Sequence, residues 1–150
     1  MATSGAFDGT TSNQYIVVQL EWAVNWSDPA SNKSSIRTRL WAQRTNTGYT
    51  TSGTFSGGIT VGGVSNPVTR QLSLGPSTAW VLIHEAHNEV THGSDGNLSL
   101  AISGWGGISG TGWDSTSVGG TAVLDQLISH PPVPTAVVAT RTSDSLFTVA

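Results

Sequence analysis

An alternation of apolar and polar residues between Gln14 and Trp26 restricts the possible folds of this chain more than any other feature. Every even position from Ile16 to Trp26 carries a large apolar side chain, whereas polar residues hold most odd positions. A period of two places the two sets on opposite faces of a strand, while helical spacing would scatter them around a cylinder. The pattern therefore predicts a long β-strand with one dry face that a second layer must cover.

Further segments with strand-like patterns follow, separated by turn residues. They are residues 35–44, several short glycine-interrupted pieces within 49–61, and residues 68–74, 77–90, 98–105 and about 118–127. Many strands joined by short turns favour antiparallel sheets packed face to face. We therefore predict an all-β protein, an antiparallel β-sandwich of jelly-roll or immunoglobulin-like type, with Trp22, Trp26 and Trp80 in its core.

The composition excludes several classes of function. Charged residues make up 10% of the chain and the formal net charge is −3, against about 25% charged residues in typical domains. Six Lys and Arg residues spread along the chain cannot form a phosphate-neutralising stripe, so no nucleic-acid partner is expected.

The absence of cysteine excludes disulfides and thiol chemistry. Neither a signal peptide nor the ~20-residue apolar run of a membrane span is recognisable, so we expect folding in a cytoplasm and no membrane insertion.

Proline marks a domain boundary near residue 130. Residues 129–134 contain three prolines, which stiffen the chain and block sheet pairing, and they are predicted to be a linker. Residues 1–128 are long enough for a single sandwich domain. Residues 135–150 show two more strand patterns, which we interpret as the first strands of another β module.

Motifs for catalysis and cofactor binding are not found. The glycine-rich stretch lacks both phosphate-loop signatures, and His84 and His87 are three residues apart rather than at the spacing of a helical zinc motif. Glu85, His87 and Glu89, with His92 as a fourth group, remain a minor metal possibility, less favoured than an exposed strand face. No cofactor, metal or catalytic residue is therefore predicted.

The segment from Val90 to Leu98 is predicted to be a hairpin, because the Asp95-Gly96 pair supplies the positive φ angle of a tight turn. His92, Ser94, Asp95 and Gly96 are interpreted as a structural turn, in which the Asp95 carboxylate accepts backbone N–H groups and His92 packs over it. No serine is singled out as a nucleophile for a His–Asp pair.

These features together resemble one protein family. The start Met1-Ala-Thr-Ser-Gly, the strand ending in tryptophan, the hairpin His92-Gly-Ser-Asp-Gly-Asn-Leu-Ser-Leu and the closing Val123-Leu-Asp-Gln-Leu-Ile resemble the N-terminal domain of siphophage minor structural (tail-tip) proteins. Gly93 stands where that family usually has Asn. Residues 133–150 resemble the first two strands of a fibronectin type III module.

The resemblance implies a non-enzymatic structural component of a bacteriophage tail or tail tip, which anchors downstream β modules that can contact the host surface. Its partners would be other tail proteins and copies of itself in a symmetric assembly, and its location would be the virion, assembled in the host cytoplasm. The alternative is a module that binds host cell-wall glycan through exposed aromatic residues. Trp41, Tyr49, Trp105 and Trp113 are the candidates for that surface or for a subunit interface. A glycan hydrolase is not favoured, because no pair of carboxylates is marked in the sequence.

Overall fold

The computed structural model describes residues 3–128, which form eight β-strands. In chain order these are β1 (Ser4–Thr10), β2 (Ile16–Asp28), β3 (Lys33–Arg44), β4 (Thr51–Val61), β5 (Val64–Leu74), β6 (Val81–Thr91), β7 (Leu98–Ile108) and β8 (Trp113–Leu124). The predicted linker and the fibronectin type III-like strands at 129–150 lie outside the described residues. Strand β1 was not expected from the sequence.

The strands form two four-stranded sheets, and every pairing is antiparallel. The front sheet has the order β1-β2-β3-β6, and the back sheet has the order β5-β4-β7-β8. The prediction of an all-β antiparallel sandwich is therefore confirmed. No helix within residues 3–128 is long and apolar enough to cross a membrane.

The inner faces of the two sheets meet in one apolar core. Trp113 is buried there and its ring centroid lies 5.5 Å from that of Phe55. Other large, fully buried side chains are Ile16, Leu20, Ile36, Ile59, Leu74, Ile83, Ile102, Ile108 and Leu124. Because burial of each such side chain is worth about 1.5–3 kcal/mol, this core accounts for the folding of a chain with few charges.

The predicted alternation in β2 is confirmed for most of the strand. Side chains from Ile16 to Trp22 alternate between the core and the outer face. The alternation fails near the end, where the β2–β3 register shifts between Val24 and Trp26. Such a bulge changes which face the following residues occupy. Trp26 is therefore 46% exposed, and its predicted place in the core is wrong.

Strand β4 is one continuous strand where the sequence predicted several short ones. Its glycines do not interrupt it, because β4 is paired with β5 on one side and β7 on the other. A Cβ at Gly57 would lie 2.0 Å from the Trp105 carbonyl oxygen. The glycine therefore permits close approach of two backbones inside the sheet instead of marking a turn.

Strand β6 begins later than the sequence suggested. Trp80 directly precedes it and is 41% exposed, so its predicted burial is also wrong. The β3–β6 register shifts between Leu40 and Trp41, and buried Ile83 and Ala86 are three residues apart. The simple alternation predicted for this segment does not describe a bulged strand.

The two open sides of the sandwich are covered in different ways. On one side β1 packs on β8 so closely that a Cβ at Gly120 would lie 2.6 Å from the Phe7 ring. On the other side Arg70 Nη1 of β5 donates to the carbonyl oxygens of Leu82 and Ile83, 3.3 and 3.1 Å away. Packing therefore covers one edge and a charged side chain bridges the other.

Candidate functional site

His92 lies in the hairpin between β6 and β7 and is buried. Its Nδ1 is 2.8 Å from the Gly96 carbonyl oxygen, and its Nε2 is 2.8 Å from Ser34 Oγ. A carbonyl only accepts hydrogen bonds, so Nδ1 donates to Gly96, while Nε2 shares a hydrogen bond with the Ser34 hydroxyl. Both ring nitrogens are therefore satisfied inside the protein.

The Ser34–His92 pair has the contact of a nucleophile with its base, but it is inaccessible. Ser34 is completely buried, and its Oγ also lies 2.8 Å from Ser27 Oγ. A nucleophilic serine needs room beside its oxygen for the substrate and for donors to the developing oxyanion. The pair is consequently a hydrogen-bonded structural connection. Sequence reasoning missed Ser34 because it lies 58 positions before His92.

Asp95 organises the turn that follows His92. Its Oδ1 accepts from the Asn97 backbone N–H at 3.0 Å, and its Oδ2 accepts from the Asn97 side-chain amide at 2.9 Å. These bonds, the side-chain one first, lower the pKa of Asp95 below its ordinary value because they stabilise the carboxylate. Ser94 is exposed at the tip of the turn. The His92 ring points into the interior toward Ser34 instead of packing over Asp95.

The same hairpin holds the segment that leaves β8. Leu127 N–H donates to the Gly96 carbonyl at 2.9 Å, and Gln126 Nε2 donates to the Asp95 carbonyl at 2.7 Å. Gly96 has a φ of 80°, and a Cβ there would lie 2.0 Å from the Leu127 carbonyl oxygen. We refer to these contacts among His92, Asp95, Gly96, Gln126 and Leu127 as the exit clasp.

The four aromatic candidates for an interface or a sugar surface do not come together. Trp41 lies on the outer face of the front sheet, where its Nε1 donates to Glu21 Oε2 at 2.8 Å. Trp105 lies on β7 of the back sheet, is 37% exposed and donates to Thr60 Oγ1. Tyr49 is exposed between β3 and β4. Trp113 is a core residue, so its candidacy for an interface or a stacking surface is wrong.

Polar and charged side chains connect the strands across the outer face of the front sheet. Arg39 Nε lies 2.5 Å from Glu85 Oε2, and His87 Nε2 lies 2.8 Å from Glu85 Oε1. Asn25 Nδ2 is 3.2 Å from His87 Nδ1. The hydrogen bond from Arg39 first, and that from His87 second, lower the pKa of Glu85 below its ordinary value. This network fixes the geometry of the face around β2, β3 and β6.

Two grooves cross the outer face of the front sheet beside β1. The first, of about 400 Å³, is lined by residues that include Ala6, Glu21, Arg37 and Arg39. The second, of about 780 Å³, has Trp80 as its aromatic wall. We call it the Trp80 groove, and it is lined by Asp8, Gly9, Thr10, Val17, Val18, Gln19, Trp80 and Ser117.

The metal possibility raised by the acidic and histidine residues of β6 has no structural counterpart. His92 is buried at the end of the sandwich, whereas Glu85 and His87 contact each other on the outer face. Among residues 3–128, no three His, Asp or Glu side chains are placed to hold an ion.

Comparisons with known proteins identify no relative. No protein-family model matches the chain, no curated protein is significantly similar to it, and no solved structure matches it significantly.

Proposed function

We propose that this domain is a non-catalytic structural module of a bacteriophage tail or tail tip, which anchors β modules that follow it in the chain. The exit clasp is the observation that carries this proposal. It bonds Gln126 and Leu127 to the hairpin, and residues 129–150 continue from that point. These hydrogen bonds fix the path of the chain as it leaves β8, up to Leu127.

The interior of the turn supports a structural role. His92, which on sequence grounds could have served as a base, has both nitrogens occupied and lies beside a serine without solvent access. Asp95 uses its carboxylate to hold Asn97. The ionisable groups of the hairpin are thus engaged in fixing its shape.

Labelling of virus particles tests the tail assignment directly. Antibodies against residues 3–128 are applied to phage particles purified from the source culture and viewed by electron microscopy. We expect label at one end of the tail, and the same chain in the particles by mass spectrometry. Particles that contain no such chain, or label confined to the capsid, would contradict the proposal.

Glycan binding is a second candidate function, favoured by one arrangement on the outer face of the front sheet. Trp41 lies on that face and exposed Trp80 borders the groove beside Gln19. An exposed indole ring next to amide and carboxylate groups suits saccharides, which combine apolar C–H faces with hydroxyl groups. Binding of host-wall oligosaccharides, followed through tryptophan fluorescence, tests this function independently of particle labelling.

A further inference from the structure

We propose that the Trp80 groove is a binding site for a neutral oligosaccharide. This inference rests on the second candidate function and gives it a place, a ligand class and a set of contacting residues. It replaces the sequence-based surface of Trp41, Tyr49, Trp105 and Trp113, whose members lie in different parts of the fold.

The groove has the size and the walls that an oligosaccharide requires. Its volume of about 780 Å³ falls within the ~300–1,000 Å³ typical of ligand sites. It runs along the outer face of β1 and β2 and reaches Ser117 on β8. Trp80 presents a ring that is 41% exposed although it is bulky and apolar. A sugar ring stacked on this indole would remove apolar surface of both partners from water.

Polar groups along the groove are placed to contact hydroxyl groups. Gln19 Nε2 donates to Asp8 Oδ1 at 2.6 Å, which holds the amide and the carboxylate side by side. The other carboxylate oxygen and the amide oxygen remain acceptors, and Thr10 and Ser117 add hydroxyl groups that donate or accept. Neighbouring hydroxyls of a sugar present donors and acceptors at similar spacing.

The charge of the lining selects among possible ligands. Asp8 is the one ionisable side chain among the groove residues, and none of them is Lys, Arg or His. An anionic glycan would meet a carboxylate with no cation in the lining to offset it. A neutral saccharide instead meets acceptors that match its hydroxyl donors. Complementarity of charge therefore favours neutral oligosaccharides over uronic-acid polymers.

Binding of defined oligosaccharides to the full chain tests the site. Cellohexaose, chitohexaose and maltohexaose serve as neutral probes, and hexagalacturonate serves as the acidic counterpart, with calorimetry and tryptophan fluorescence as readouts. We expect millimolar or tighter binding of at least one neutral probe and weaker binding of the acidic one. Trp80→Ala should weaken binding at least about tenfold through loss of stacking. Asp8→Asn should weaken it several-fold while keeping the side-chain shape.

Trp26→Ala is the matched control, because it also removes an exposed tryptophan but from the far end of β2, outside the groove lining. The control variant should bind the oligosaccharide probes with the same affinity as the wild type. Backbone amide shifts of the wild-type protein on titration provide a readout that does not depend on the folding of any variant. They should change at Asp8, Gln19 and Trp80 and not around Trp26 at the far end of β2.

Each contrary result has a distinct meaning. Binding that is lost in Trp26→Ala but kept in Trp80→Ala would overturn the groove while leaving glycan binding as a function. Equal or tighter binding of hexagalacturonate would overturn the neutral ligand class. Failure of all four probes to bind would overturn both the groove and the second candidate function, but it would leave the tail assignment untouched.

Discussion

At the scale of single residues, His92 determines how the end of the sandwich is held together. Its ring connects β3, through Ser34, to the turn carbonyl of Gly96, and its backbone N–H donates to the Asn32 carbonyl. Asn32 in turn donates from its side chain to the carbonyls of His92 and Gly93. Two hairpins and the exit segment therefore share one connected set of hydrogen bonds, with that between Ser34 and His92 buried.

Replacing His92 by Ala should lower the free energy of unfolding by about 2–4 kcal/mol, because buried Ser34 loses a partner and a cavity replaces the ring. Urea denaturation followed by tryptophan fluorescence measures the change. His87→Ala is the matched control, since His87 is exposed and its bonds to Glu85 and Asn25 lie in solvent. We expect His87→Ala to lower the free energy of unfolding by less than about 1 kcal/mol. Equal losses in the two variants would contradict a special role for His92.

The turn residues could be recognised from sequence, but their partners could not. Asp95 and Gly96 have local signatures, because the turn they form depends on residues next to them in the chain. The Ser34–His92 contact depends on the pairing of β3 with β6, which no local pattern specifies. Trp80 is predicted in the core only when the alternation is extended beyond the start of β6 at Val81. Its exposure, and the groove it borders, therefore cannot be read from the alternation.

At the scale of strands, glycine decides how closely β4 and β7 approach. A Cβ at Gly57 would lie 2.0 Å from the Trp105 carbonyl oxygen and 2.7 Å from the Gly106 Cα. Both of these atoms belong to backbone, so no rotamer change can relieve the clash. The central pair of the back sheet therefore requires the absence of a side chain at this position.

Gly57→Ala should consequently separate β4 from β7 and lower the free energy of unfolding by about 3 kcal/mol or more, as other severe core strain does. Gly63→Ala is the matched control in the β4–β5 turn, where φ is +85° and no atom would lie within 4 Å of the new Cβ. We expect a cost of about 1 kcal/mol there from the left-handed backbone alone. Thermal unfolding monitored by circular dichroism compares the stability of the two variants. A smaller loss of stability in Gly57→Ala than in Gly63→Ala would refute the close-approach explanation.

Strand prediction succeeded where alternation was regular and failed where it was interrupted. In β3 the alternation within residues 35–44 is regular, and Ile36, Thr38, Leu40 and Ala42, which share one face, are all buried. In β2 one bulge placed Trp26 on the surface, because a single extra residue exchanges the two faces. In β4 the glycines suggest strand ends, since the sequence does not reveal that β7 pairs closely beside them in the same sheet.

At the scale of the whole molecule, the two sheets each leave edge strands that must be protected from pairing with other chains. The many alternating segments of the sequence predict the sandwich architecture. They do not predict the order of the strands in each sheet or the side chains that cover each edge, because these depend on contacts between strands that are distant in the chain. The β1–β8 side relies on small residues, with Gly9 against Val118 and Gly120 against Phe7. The β5–β6 side relies on Arg70 and on the Asn66–Asn88 hydrogen bond of 3.1 Å. The β5–β6 edge therefore depends on a few polar side chains, and a strand edge that loses its cover can pair with another chain.

Arg70→Ala should therefore expose the β6 carbonyls of Leu82 and Ile83 and permit pairing with a second copy. We expect a larger weight-average mass at high protein concentration by sedimentation equilibrium, with a loss of about 1 kcal/mol in the free energy of unfolding from the missing hydrogen bonds. Arg37→Ala removes the same charge from the outer face, where no hydrogen-bond acceptor within residues 3–128 contacts its guanidinium. That control should stay as monomeric as the wild type. If both variants associate equally, lost net charge rather than an uncovered strand edge would be the cause.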